Sequence, residues 1–278
     1  MSLTETDHTM AEDDSTKAAA VFSGGPDSTA AAIWAKKQGY DVELVSYQFH
    51  DEKQYGELRS AMKVAEELNM EHTVIDFKAP TNAFGEGAQM FMHAGTDSAL
   101  QKEEGDTQAT MTNHTSAPHL IPFASGVLLS LTASYAIYND ANSIIWGATA
   151  DDGSDNVHYR QEFADELADF VSRKEDYPVE IALPIADQHK YELLETYKGR
   201  EDLFAETWSC KEPAGDTQCG TCAACVARRV SAEITGLEDK TTYEAEEYEH
   251  PFTDKQLEDP SLIDDDELHR IGGSPRPQ

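Results

Sequence analysis

Two clusters of residues have the types and spacing to do chemistry. The first is Ser23-Gly24-Gly25-Pro26-Asp27-Ser28, set between the apolar run 18–22 and the helix-favouring stretch 28–37. A strand that hands over to a helix through paired glycines lets backbone amides approach an anion, and the positive end of the helix adds to the attraction. Ser23 and Ser28 would contribute hydroxyl donors. Asp27 is the odd member, because a carboxylate repels phosphate unless it orients the loop or helps to hold Mg2+. The string is neither G-x-x-x-x-G-K-[ST] nor G-x-G-x-x-G. On these six residues alone, a phosphate cradle competes with a glycine turn carrying an Asp/Ser helix cap.

The second cluster holds all the cysteines of the chain. Cys210 is followed by Cys219, Cys222 and Cys225, a C-x8-C-x2-C-x2-C spacing. Overlapping C-x-x-C knuckles plus a distant thiolate suit tetrahedral Zn2+ with no open position, the mark of a structural site. Buried thiols, a redox pair and an iron–sulfur cluster are the alternatives. The cysteines are too clustered for a secreted disulfide framework, which points to a reducing compartment.

The elements that must carry these clusters follow from the pattern. Strands are expected at 18–22, 42–47, 72–77, 143–146 and 179–183, with helices at 28–37, 57–68, 126–138, 162–172, 190–197 and 223–233. This alternation predicts an α/β fold with a doubly wound, mostly parallel sheet and a small C-terminal zinc-binding helical module. The expected organisation is a disordered leader 1–16, a nucleotide-binding domain 17–200, a four-cysteine zinc module 201–236 and an acidic tail 237–278. Residues 80–118 have little periodicity and read as a lid over the site.

Charge is the loudest bulk feature. The 53 acidic residues against 21 basic ones leave a net charge of −32, spread along the whole chain. Such a surface suits a salt-saturated cytoplasm, where the Debye length is about 3 Å or less and self-repulsion is screened. An acidic face for a basic partner is the other reading. No run of 18 apolar residues exists and the N-terminus has no signal-like stretch, so a soluble cytoplasmic protein is expected.

S-G-G-x-D-S at the first strand–helix turn resembles the PP-loop of the ATP pyrophosphatase superfamily. With T-W-S-C…C-G-x-C-x-x-C and Arg228-Arg229 near the end, the chain is similar to the 7-cyano-7-deazaguanine synthase (QueC) family over residues 17–236. The likeness includes residues 65–68, 130–138, 146–150, 160–163 and 183–185. It implies an adenine-nucleotide α-hydrolase-like fold and an ATP-dependent ligase that makes the nitrile from 7-carboxy-7-deazaguanine and ammonia, for queuosine or archaeosine in tRNA. A halophilic archaeon would fit the acidic chain. The implied cofactors are ATP, Mg2+ and Zn2+. The implied partners are the deazapurine, ammonia and a second copy of the chain, with no direct nucleic acid and no membrane.

The resemblance places the nucleotide on Phe22, Ser23, Gly24, Gly25, Pro26, Asp27, Ser28 and Thr29, the metal on Cys210, Cys219, Cys222 and Cys225, and the substrate on Asp152, Arg160 and Glu162. Asp27, Ser28 and Arg160 are the expected catalytic residues. Asp151 and Asp152 hold Mg2+, orient ammonia or form a solvated turn. Arg228 or Arg229 reaches the phosphates or pairs with acids on the surface. Two segments depart from the family pattern. Ala124 and Ser125 stand where an Arg-Asn pair is usual, and residues 156–159 replace Tyr-Pro-Asp-Cys. A relative that activates a different carboxylate, or joins a deazaguanine to another amine, is therefore the alternative. A tRNA-thiolating enzyme would need cysteines near the ATP, and a non-catalytic ATP-binding module would not turn ATP over.

Overall fold

The computed structural model describes residues 16–49, 55–84, 121, 123–155, 157–175, 177–213, 215–253, 255–256 and 262–263. Residues 1–15 of the expected leader 1–16, residues 85–118 of the expected lid 80–118 and the end of the tail lie outside the described residues.

The sheet is built from β1 (Lys17–Val21), β2 (Asp41–Gln48), β3 (Glu71–Asp76), β4 (Ser143–Trp146) and β5 (Glu180–Ala182), all parallel in the order β3-β2-β1-β4-β5. Side chains alternate across it. Ala18, Ala20, Val42, Leu44 and Ile145 face one core, while Ala19, Val45, Tyr47, Ile144 and Trp146 face the other. Two-sided burial explains why these strands read as apolar runs rather than as alternating patterns.

Helices α1 (Pro26–Lys37) and α2 (Tyr55–Leu68) cover the first face, and α4 (Ala124–Tyr138) and α6 (Gln161–Glu175) the second. Short helices α3 (Lys78–Asn82) and α5 (Ala150–Asp155) follow β3 and β4. The centre of α1 is mostly alanine because it is buried nearly all round, so small residues let it sit close to β1. Fully buried Leu44, Ile144, Ile145 and Leu129 each contribute roughly 1.5–3 kcal/mol of apolar burial. The doubly wound expectation holds.

Some local details differ from the sequence reading. The helix expected at 190–197 is a 3-10 segment over Glu192–Tyr197, and a helix that the pattern did not show, α7 (Glu201–Glu206), follows it. The last helix, α8 (Ala223–Thr235), ends at Gly236, and its Ala232 joins the first core along with Leu237. Beyond it, residues 237–253 pack along α8 instead of leaving it. Arg229 lies over the rings of Tyr243 and Tyr248 and bonds to the carbonyls of Gly220 and Ala245, at 3.3 and 3.1 Å.

Candidate functional site

In the order β3-β2-β1-β4-β5 the chain winds outward in opposite directions from β1 and β4. Their carboxyl ends therefore form the crevice where open α/β sheets take ligands. The Ser23–Ser28 loop leaves β1 at this point.

The loop is fixed by its own backbone. The Phe22 amide donates to Val45 O at 2.8 Å, and the Ser46 hydroxyl donates to Phe22 O at 2.7 Å. Gly24 has φ +75, and a β-carbon there would come within 2.5 Å of the Ala61 amide, so only glycine fits. Ser28 Oγ accepts from the Ser23 amide (3.2 Å), donates to Gly25 O (3.2 Å) and lies 3.1 Å from Ser23 Oγ. Gly25 is the N-cap of α1, and no side chain caps the helix. The Asp/Ser cap is therefore absent, and the first-turn amides of a 12-residue helix are left for another acceptor. Phe22, Gly24, Ser28 and Thr29 are buried, Ser23 is exposed, and Gly25, Pro26 and Asp27 lie between.

Opposite the loop is a charged cluster. Lys190 Nζ is 3.1 Å from Asp152 Oδ1 and 3.8 Å from Asp27 Oδ2. Asp152 also accepts from the Thr149 hydroxyl and amide at 2.8 and 3.1 Å. Burial opposes ionisation of Asp152, but Lys190 and these hydrogen bonds outweigh it and hold its carboxyl below the ordinary range. Asp27 behaves differently. Burial pushes its carboxyl up to about 6 against the pull of Lys190, with Asp152 and Asp151 pushing the same way as burial. Burial likewise disfavours the charge of Lys190, yet the carboxylates around it keep its ammonium strongly protonated. Lys211 pairs with Glu57 at 2.7 Å and adds a second cation whose field reaches Asp27.

Asp151 and Asp152 lie in the first turn of α5, not in a solvated turn. Asp151 is 2% exposed; it takes a 2.9 Å hydrogen bond from the Lys190 amide and sits 2.8 Å from His189 Nδ1. It fastens the 189–190 turn and so places Lys190. The sequence reading gave Lys190 and Lys211 no role. Lys190 opens the helix expected at 190–197 and Lys211 directly follows Cys210, yet a lysine by itself does not reveal which acids it will meet.

Arg160 and Glu162 stand exposed at the start of α6, where the Arg160 carbonyl accepts from the Ala164 amide at 3.3 Å. The preceding turn, Val157–Tyr159, reaches the charged cluster through Tyr159. Its ring packs on Trp146 at 4.9 Å, and its hydroxyl is pushed up by burial and then by the charge of Asp152. Phe123, His158 and Phe163 form an aromatic group, with centroids 4.9–5.8 Å apart. Ala124 and Ser125 are buried in the first turn of α4.

The four cysteines converge, with their sulfurs all within 4.8 Å of one another and Cys219 Sγ 3.9 Å from Cys225 Sγ. A tetrahedron of Zn–S bonds of ~2.3 Å needs sulfurs about 3.8 Å apart, so the donor set fits zinc. The Cys219 amide donates to Cys210 Sγ at 3.2 Å and the Cys222 amide to Cys219 Sγ at 3.3 Å, as thiolates require. Arg228 and Arg229 belong to this module. Arg228 is buried, donates to Thr207 Oγ1 at 2.7 Å and lies over Phe204 at 3.8 Å. Among their described contacts neither arginine meets the phosphate loop.

Sheet, loop and knuckle together define a doubly wound α/β protein with an uncapped glycine turn at its switch point and a closed four-sulfur centre. Residues 17–236 match the family described as "Queuosine biosynthesis protein QueC". The chain belongs to the QueC family, whose chemistry is ATP-dependent and whose substrates are small molecules. It is 30% identical over 234 residues to the 7-cyano-7-deazaguanine synthase of Chromohalobacter salexigens, covering 83% of this chain and 87% of that protein. Identity to the enzyme of the same name from Campylobacter jejuni is 27% over 234 residues, covering 83% and 100% of the two chains. Among solved structures, the NH3-dependent NAD synthetase of Campylobacter jejuni matches with a TM-score of 0.39 and 17% identity, covering 69% of this chain and 68% of that one. No helix among the described residues is long and apolar enough to cross a membrane.

Proposed function

We propose that the chain binds ATP in the β1/β4 crevice and uses it to convert 7-carboxy-7-deazaguanine and ammonia to 7-cyano-7-deazaguanine. The observation that carries this reading is the uncapped start of α1 facing a lysine held by Asp27 and Asp152, in a chain of the QueC family. The amides of Gly25, Asp27 and Ser28 and the Ser28 hydroxyl donate to phosphate oxygens, Pro26 having no N–H to offer. Lys190 neutralises charge as pyrophosphate departs. Asp27, with two carboxylates sharing one lysine beside it, has the surplus negative charge that suits Mg2+; a bound Mg2+ would draw charge off the phosphates.

The substrate carboxylate attacks the α-phosphorus, forming an acyl adenylate and releasing pyrophosphate. Ammonia then displaces AMP to give the amide. A second ATP adenylates the amide oxygen, and loss of AMP and protons leaves the nitrile. In this reading Arg160 and Glu162, exposed at the start of α6 beside Tyr159, receive the deazapurine. Zinc, held by Cys210, Cys219, Cys222 and Cys225, supplies folding energy and no chemistry. We further assign the chain to the cytoplasm as a homodimer, with a nucleotide domain over 17–200, the zinc module over 201–236 and an acidic tail suited to high salt. Product use in archaeosine synthesis goes with that habitat.

A divergent ligase with another acceptor is the second reading. It draws on the aromatic group at Phe123, His158 and Phe163 and on the buried Ala124 and Ser125. One experiment separates the two. Purified protein in high KCl receives ATP, Mg2+, ammonia and 7-carboxy-7-deazaguanine, and the products are read by mass. Amide and then nitrile are expected. ATP breakdown without nitrile under saturating ammonia rejects the first reading in favour of the second.

A further inference from the structure

Between the two chemical centres stands Trp208. Its amide donates to the carbonyl of Gly24 at 2.9 Å, and the Ser60 hydroxyl donates to the same carbonyl at 3.1 Å. The peptide joining Gly24 to Gly25 is trans, so fixing the carbonyl on one side aims the Gly25 N–H to the other. There it meets Ser23 Oγ at 3.3 Å, in the mouth of the phosphate loop. The direction of a phosphate-facing amide is thus set by a donor that belongs to the zinc segment.

The Trp208 amide is itself tightly held. The indole Nε1–H donates to Cys210 O at 2.8 Å. The ring lies so close to Gly56, in the first turn of α2, that a β-carbon there would fall 2.3 Å from it. Buried Gln218 accepts from the Ser209 and Cys210 amides at 2.9 and 3.1 Å and donates to Thr207 O at 3.1 Å. Cys210 is in turn one of the four converging sulfurs. We propose that Trp208 is a positioning residue that transmits the closed geometry of the cysteine knuckle to the Gly25 amide, so that the metal-closed knuckle sets the affinity of the loop for nucleotide phosphates.

The inference rests on the ATP reading above, and the test keeps the two apart. Zinc-loaded parent, Trp208→Ala, Trp208→Phe and Gly56→Ala are compared for zinc content, thermal midpoint and affinities for ATP and for adenosine. Adenosine is the control that lacks phosphates. Trp208→Ala should keep its zinc and its adenosine affinity but bind ATP about tenfold more weakly, the scale of one hydrogen bond lost from a charged acceptor. Trp208→Phe, which keeps the ring against Gly56 but loses Nε1–H, should fall between. If Trp208→Ala fails to fold, Trp208→Phe and Gly56→Ala, which displaces the ring, carry the test, each expected to weaken ATP binding while adenosine affinity is kept. Zinc-replete variants that bind ATP as the parent does, or lose ATP and adenosine equally, overturn the proposal. A parent that binds no ATP overturns the functional reading along with it.

Discussion

The two rims of the crevice are built on different principles. On the phosphate rim, loop residues are held by backbone geometry and by short polar contacts, and each charge has a named counterpart: Asp27 and Asp152 with Lys190, Glu57 with Lys211. On the rim that the proposed reading gives to the acceptor, Phe123 meets His158 and Phe163 edge to face, those two rings are tilted on each other, and the start of α4 is buried. The first kind of construction fixes a place for an anion to within a hydrogen bond. The second fixes a shape and a polarity, and it tolerates exchange of one ring for another. A family can therefore keep one rim while the other drifts.

The comparison breaks most completely if the phosphate rim loses its support. Cys222→Ala leaves three sulfurs, which cannot close a tetrahedron around zinc, and the binding that folds small zinc modules is worth about 10–16 kcal/mol. Loss of metal and of most soluble protein is expected, with elemental analysis of the parent showing zinc. Iron in the parent, or a metal-replete folded variant, would contradict a structural zinc centre.

A smaller effect comes from Asp27. Its carboxyl, pushed up from 3.8 to about 6 by burial against the pull of Lys190, binds its proton more tightly in the folded than in the unfolded chain. Its contribution to stability is therefore fully present below about 3.8 and is lost as pH rises through about 6. Asp27→Asn should raise the thermal midpoint at pH 7.5, by roughly 2–4 °C for each kcal/mol relieved, and the gain should shrink towards pH 5. ATP consumption should move the other way, falling as the parent is acidified through about 6 and nearly absent from Asp27→Asn at every pH. A midpoint gain of equal size at pH 5 and pH 7.5 would show that the carboxyl is not the group being relieved.

How much was legible in the sequence follows the same division. The glycine pair, the cysteine spacing and the alternation of strand and helix are local patterns, and the loop, the converging sulfurs and the sheet stand where those patterns put them. Lys190 meets Asp27 and Asp152 only because β1 and β4 are neighbours, which no local pattern records. A solvated turn stood beside the Mg2+ and ammonia readings of Asp151 because its acid-rich surroundings give a local pattern nothing to choose on, whereas its burial depends on the turn at 189–190 folding back onto α5. The arginine pair was ambiguous for the opposite reason. Arg228 is pinned by Thr207 and Phe204 and Arg229 by residues beyond 242, segments whose packing on α8 has no periodic signature.

The acceptor rim gives the smallest effect and the sharpest contrast. Phe123 is 49% exposed and has φ +60, unusual for a phenylalanine, yet its ring occupies the space over Gly126 and meets His158 and Phe163. Inserting the family-like arginine next to it, Ala124→Arg, would force a long charged side chain into a buried first turn. That should cost about 1–3 kcal/mol in overpacking instead of restoring a substrate contact. Phe123→Ala is the cleaner probe. Removing a half-exposed ring from a three-ring group forfeits about 0.5–1.5 kcal/mol of aromatic contact, so a shift in thermal midpoint of only a few degrees is expected. If this rim receives the acceptor, the KM for the carboxylate substrate should rise severalfold while the KM for ATP stays put. Equal rises in both would mean that the two rims act as one surface, and no change in either would remove the aromatic group from the site.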